Sequence, residues 1–561
     1  MKKVAQWELF ELQLTTQETF ANPFLDVELK ASFACEDKEW TVDGFYDGIT
    51  EGQPTWRIRF APTRQGLWSY VTKSNTPELD GQTGSFLCTE PLSSGGLTIN
   101  PHFASWFFRE DGSPQWIVNE GWYPHPANGT FYDYEEVDFQ QPSEQDMLFY
   151  LRTLSEYSVN MIIDMGQLYA RQSSITDPSF RWPWAVVDPI HNKIDKDRFN
   201  LDYYQRLDRF LEEAKKHEIF FALELLYDNS VVRPREWANH PLNIKNGGWL
   251  EGNAYGTGWG DVFDLTNPIH VKYTARYLKY TIARVAAYWN VIWSIGSENG
   301  NLIRLPQEIL PYALYSPEKT AAWYHHWGDY IGRKDPYGRL RTYGDTGRQP
   351  LMVTAPYNNI IVTQDPRNYP KDNPDAYYQA MNDFGESFWY YGRPTVIGEM
   401  TAGTGGHYDM ERRLYWIGLV SGYMMGRADR HFSPVDAEQL SESKKFNVNG
   451  IPPIYADLKR MTHFIKDQKI PFWRMRPSDE SIQTDGTMVF CLAAREEVYL
   501  LYFVHGGKAS MELPKSQYCW FSPTTGRITE SGTTEPGYRT FLAPDEEDWV
   551  LLIRAEQNLI S

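Results

Sequence analysis

Two segments of the chain end an apolar run on a glutamate. VIWSIGSENG (291–300) is β-branched and aromatic until Gly296, then presents Glu298 among small residues; TVIGEMTAG (395–403) does the same with Glu399. A glutamate at the tip of a buried strand is held on a rigid element while its carboxyl reaches open space. Two such groups about 5–5.5 Å apart can divide the work at a glycosidic bond. One protonates the leaving oxygen, and the other attacks the anomeric carbon.

Other strand ends carry a compatible set. They are Glu120 and Trp122, Asp164 and Gln167, Glu224 and Asp228, Asn299 beside Glu298, Tyr343 and Asp345, Gln364 and Asp365, then Arg430 and His431. The intervening loops add Trp182, Trp184, Trp249, Tyr255, Trp259 and His407. Aromatic faces separated by carboxylates suit sugar rings, whose C–H faces stack and whose hydroxyls need hydrogen bonds. Each of these residues also has a plainer reading. A single acid orients an arginine or caps a helix, Trp122, Trp249 and Trp259 pack a loop, His407 is solvated, and Tyr343 either bonds the nucleophile or fills the interior.

The elements that must position these groups read as alternating strands and helices between about 97 and 470. Strands are expected at 115–123, 160–166, 218–228, 290–300, 339–345, 359–365, 394–400 and near 422–432. Helices follow from apolar spacing of three and four: Met147, Tyr150, Leu151 and Leu154, then Leu201, Tyr204, Leu207, Leu211 and Ala214, and finally Ile454, Leu458, Met461 and Ile465. Eight strand–helix units predict an α/β fold, a (β/α)8 TIM barrel with its chemistry at the C-terminal strand ends. The alternative, an open doubly wound sheet, lacks its usual GxGxxG or GxxxxGK[ST] turn. Residues 1–95 and 471–561 are short strands broken by turn residues, and predict an N-terminal and a C-terminal β-sandwich. Ser93 to Gly96 reads as a linker.

Composition narrows the partners. With 54 basic against 73 acidic residues the net charge is −19, which disfavours nucleic acid and anionic membranes. No apolar window reaches transmembrane length. The start, MKKVAQWELFELQL, has no leader-like apolar core, so a cytoplasmic protein, or a secreted one with its leader removed, is expected. Cys35, Cys88, Cys491 and Cys519 form no CxxC or Cys/His cluster, so no metal site is expected, and free thiols are favoured over one disulfide near each end.

On these residues the chain resembles the retaining glycoside hydrolases of clan A, in which glutamates end strands four and seven. Its layout resembles a narrower bacterial group with an N-terminal β-sandwich of unknown function, an apiosidase-like barrel and a C-terminal β-sandwich. The resemblance implies that Glu298 is acid/base and Glu399 nucleophile, with a carbohydrate substrate and no cofactor. There is one departure. The clan usually has Asn directly before the acid/base, where this chain has Ser297, with Asn299 after it. The contact to the sugar 2-hydroxyl is therefore in question. Two other readings stand beside this one: a carbohydrate-binding protein that has lost catalysis, and an inverting or metal-dependent hydrolase using the other carboxylates.

Overall fold

The computed structural model describes residues 1–123, 144–164, 182–226, 234–251, 262–296, 317–344, 353–364, 373–399, 408–428 and 453–556. Its centre is built from eight short strands: Asn119–Tyr123, Met161–Asp164, Phe220–Glu224, Val291–Ser294, Arg341–Thr342, Ile361–Gln364, Thr395–Glu399 and Gly426–Ala428. Each lies within one of the eight expected runs. All their pairings are parallel. One sheet has the order five, four, three, two, one, eight, and strands six and seven form a second. Further backbone bonds join the two sheets. Asn359 N–H donates to Arg341 O at 2.8 Å, and Ile397 N–H donates to Met424 O at 2.8 Å. Strands three, four and six are buried along their whole length. That explains apolar runs without alternation, as parallel strands covered on both faces require.

The helices bury the expected faces. Met147, Tyr150, Leu151 and Leu154 are inside, as are Tyr204, Leu207, Leu211 and Ala214, and Ile454, Leu458, Met461 and Ile465. Their starts are set locally. The Asn200 side chain accepts from Tyr203 N–H to cap Leu201–Lys216. Asn267 and Asn373 cap helices whose first residue is Pro268 or Pro374, where a missing N–H costs nothing.

The N-terminal strands form a five-stranded and a three-stranded sheet. Along Leu29–Cys35 every second residue is buried, and the two sheets meet through Phe33 and Phe60, stacked 4.2 Å apart. The C-terminal strands form a six-stranded and a three-stranded sheet. Val489–Ala494 and Val498–Phe503 are almost wholly apolar because they serve two cores. Phe490, Leu492, Leu500 and Tyr502 join the central core, whereas Cys491, Tyr499, Leu501 and Phe503 pack with Met511 and Trp520. All four cysteines are free.

Two expectations need correction. Ser93 to Gly96 is no loose linker at its glycine end. Gly96 N–H donates to Glu110 at 2.7 Å, and a Cβ there would sit 2.7 Å from the Trp289 carbonyl. Pro114–Gln115 also does not open the first central strand. It pairs with Phe107–Arg109, whose other edge pairs with Leu97–Ile99, in a small antiparallel sheet. A hairpin, Trp184–Asp188 with Lys193–Phe199, is inserted after the second strand.

Candidate active site

The tip of the fourth strand is gripped from both sides. Ile295 N–H donates to Thr342 O at 2.8 Å on the fifth strand, while Leu225 and Leu226 N–H donate to Ser294 O and Ile295 O at 2.8 and 3.2 Å from the third. Ser294 Oγ donates forward to the Gly296 carbonyl at 3.2 Å, at the end of the described part of this strand. Glu298 and Asn299 themselves lie outside the described residues, as do Gln167 and His407. So do Asp228, Tyr255, Trp259, Asp345, Asp365, Arg430 and His431.

The seventh strand ends on Glu399, in register with Gln364 of the sixth. Two residues earlier, the Ile397 carbonyl accepts from Asn119 Nδ2 at 3.4 Å. For Glu399, Asp164 and Trp122 the backbone is described: Trp122 and Asp164 sit on the first and second strands.

Other candidates have structural surroundings. Glu224 ends the third strand, in register with Ser294, and is fully buried. Glu120 is buried on the first strand and accepts from Tyr455 Oη at 2.9 Å. Neighbouring residues of a strand face opposite sides, so Glu120 turns to the helix layer while Asn119 turns away from it. Tyr343 is buried and meets Tyr324 of helix Pro317–Lys334 edge-on at 5.6 Å. Trp249 does not stand open as a sugar platform. It is buried between Trp184 at 5.4 Å and Tyr273 at 4.9 Å, and its indole N–H donates to His270 Nδ1 at 3.0 Å. His270 must therefore carry its proton on Nε2, which faces the Val262 carbonyl at 3.0 Å. Burial lowers its pKa to about 4, so the ring is neutral. Trp182 and Trp184 are buried too. The indoles are wide enough to serve either purpose, and sequence alone does not reveal which faces are covered.

Sequence reasoning passed over Asn119, Ser294 and Gly426. Each is a small or polar residue directly after an apolar run, and that is a readable signal.

Known proteins share this architecture. Residues 3–75 match the family described as "Domain of unknown function (DUF5060)". A candidate glycoside hydrolase from Bacteroides vulgatus ATCC 8482 superposes with a TM-score of 0.68 at 18% identity, covering 99% of this chain and 100% of that one. A family 5 glycoside hydrolase from the same organism gives 0.55 at 14% identity, covering 82% and 94%. A further glycoside hydrolase gives 0.54 at 16%, covering 83% and 98%. No curated protein matches the sequence. At these identities the likeness is one of fold, and it extends over essentially the whole chain for the first of them.

Proposed function

We propose that the eight strands close into a (β/α)8 barrel between two β-sandwich modules, and that the protein is a retaining glycoside hydrolase. The observation that carries this reading is the strand order. The gripped strand that leads to Glu298 is the fourth, and the strand that ends on Glu399 is the seventh. These are the positions that the clan A resemblance assigns to acid/base and nucleophile, and the neighbours of like fold are described as glycoside hydrolases.

In this mechanism Glu298 enters the cycle protonated and Glu399 ionised. The ionised partner raises the pKa of the acid beside it, which keeps the two roles apart. Glu399 attacks the anomeric carbon as Glu298 passes its proton to the departing oxygen. The glycosyl-enzyme is then hydrolysed by a water that the ionised Glu298 deprotonates. Two inversions retain the anomer. Glu120, Trp122, Asp164, Gln167, Glu224, Asn299, Tyr343 and His407 are proposed to surround the sugar or to hold the groups that do. The substrate class proposed is a short oligosaccharide cut from one end.

The test is a panel of pyranoside and furanoside aryl glycosides offered to wild type and to Glu399→Ala. A mechanism-based fluorosugar matching the substrate should label Glu399, and proton NMR should show the substrate's own anomer in the first product. A label on another carboxylate, or an inverted product, overturns the reading.

A further inference from the structure

One side chain crosses the seam between the first, eighth and seventh strands, beside the backbone bonds that join them. Asn119 of the first strand stands opposite Gly426 of the eighth in the parallel ladder. Its amide does not stop there. It passes over Gly426 and donates to the carbonyl of Ile397 on the seventh strand, at 3.4 Å. The crossing needs an unoccupied position. A Cβ at 426 would lie 2.0 Å from Asn119 Nδ2 and 2.5 Å from the Ile397 oxygen. The backbone of Gly426 is not in the left-handed region, so the glycine is required there by space.

Among the described residues one bridge, Val396 to Met424, joins the seventh strand to the eighth strand's approach. Beyond it the described strand tip has no further bridge on that side, while it stays paired with the sixth strand on the other. Ile397 lies two residues before Glu399, and the register with the sixth strand shifts between them at Gly398. A bond to its carbonyl therefore fixes the height and tilt of the tip. Asn119 is fully buried, and among the described residues its Oδ1 has no hydrogen-bond partner. A buried amide with its acceptor open is costly in a packed core. Packing alone gives no reason for an amide in place of the apolar neighbours Ile117 and Val118.

We infer that Asn119 is a positioning residue. With Gly426 as its passage, it holds the end of the seventh strand so that Glu399 meets the anomeric carbon in line. This rests on the reading of Glu399 as nucleophile. A displacement of about 1 Å at a reacting group costs on the order of 100-fold in rate, so a small seam adjustment reaches turnover.

The experiment uses the full chain and whichever 2,4-dinitrophenyl glycoside of the panel it hydrolyses. Such substrates need no leaving-group protonation, so their first step reports the nucleophile. The variants are Asn119→Ala, which removes the amide, Asn119→Asp, which keeps the size and removes the donor, and Gly426→Ala, which blocks the passage. In each, kcat should fall by about 10- to 100-fold with KM changed less than about twofold. The acid limb of kcat/KM, set by ionisation of the nucleophile, should move in all three. Glu399→Gln is run beside them. If Glu399→Gln is inactive while Asn119→Ala keeps the wild-type kcat and acid limb, the positioning role is overturned and the nucleophile stands. A lower melting temperature with unchanged kinetics overturns it equally, and leaves Asn119 a packing residue. If Glu399→Gln keeps its activity, or no glycoside is turned over, the nucleophile reading falls and this inference falls with it.

Discussion

Arg412 and Asp548 join the central fold to the C-terminal sheets through a buried pair. Arg412 of helix Tyr408–Val420 donates from Nε and Nη2 to the two Asp548 oxygens at 3.2 and 2.8 Å. Asp548 is wholly buried and also takes the Tyr502 hydroxyl at 3.1 Å. Removing one partner strands the other charge away from water. Asp548→Ala should therefore destabilise the protein by about 3–5 kcal/mol, read by chemical denaturation. The double variant Arg412→Met/Asp548→Leu should recover much of that loss, because the other carboxylate that Arg412 meets, Asp409 at 2.7 Å, is exposed and stays solvated.

Asp208 does the corresponding work at the other end. Arg59 of the N-terminal sheets reaches its two oxygens at 2.7 and 2.9 Å, while Arg284 of helix Pro268–Val285 donates to it at 2.7 Å. Burial alone would raise the Asp208 carboxyl, but Arg284 and Arg59 outweigh it and hold the pKa below the usual value. A depressed carboxylate lends stability above its unfolded pKa, about 4, and loses it as pH falls through the folded value. Acid titration followed by tryptophan fluorescence should show docking of the N-terminal sheets weakening below about pH 4. Asp208→Asn should flatten that transition and lower stability at pH 7.

Asp479 carries the opposite sign. It accepts from Cys491 N–H at 2.6 Å and from Asn382 Nδ2 at 2.9 Å, yet burial pushes its pKa up to about 7, and the carboxylate of Glu386 adds to the push. The folded chain keeps a proton that the unfolded chain releases. This contribution is full below about pH 4 and is lost as pH rises toward the folded value. Asp479→Asn should therefore raise the melting temperature at pH 8 by about 2–4 °C and change it little at pH 5. Its amide is accommodated if Asn382 flips, because the Ser421 hydroxyl at 2.5 Å can accept as well as donate. A drop at pH 8 would show that the ionised form is the favoured one.

Glu298→Ala should cripple turnover of glycosides with poor leaving groups by about 10²- to 10⁴-fold, the usual worth of a general acid. It should spare the first step for dinitrophenyl glycosides, and azide should restore the second by replacing water. Equal losses on both substrate types without azide rescue would remove Glu298 from the role.

The sequence by itself determined the local order. Period decides it: runs such as Phe220–Glu224 and Val291–Ser294 are too short and too apolar to be surface helices, and Leu207, Leu211 and Ala214 recur at helical spacing. All eight central strands were therefore legible, and so were the buried faces of helices Glu144–Glu156, Leu201–Lys216 and Ile454–Asp467. Glu298 and Glu399 stood out because a charge at the end of an apolar run conflicts with its surroundings. Tertiary structure alone decided what each polar or aromatic group faces. Trp249 read equally as a sugar platform and as loop packing until Trp184, Tyr273 and His270 enclosed it. Glu120 lay at a strand end in sequence, and its partner Tyr455 comes from the last helix, far along the chain. Gly96 resembled linker glycine until the Trp289 carbonyl came within reach. Such partners are brought together by sheet closure and docking, which depend on the summed packing of distant segments. A local pattern fixes which face of an element is apolar, but not which neighbour arrives to cover it.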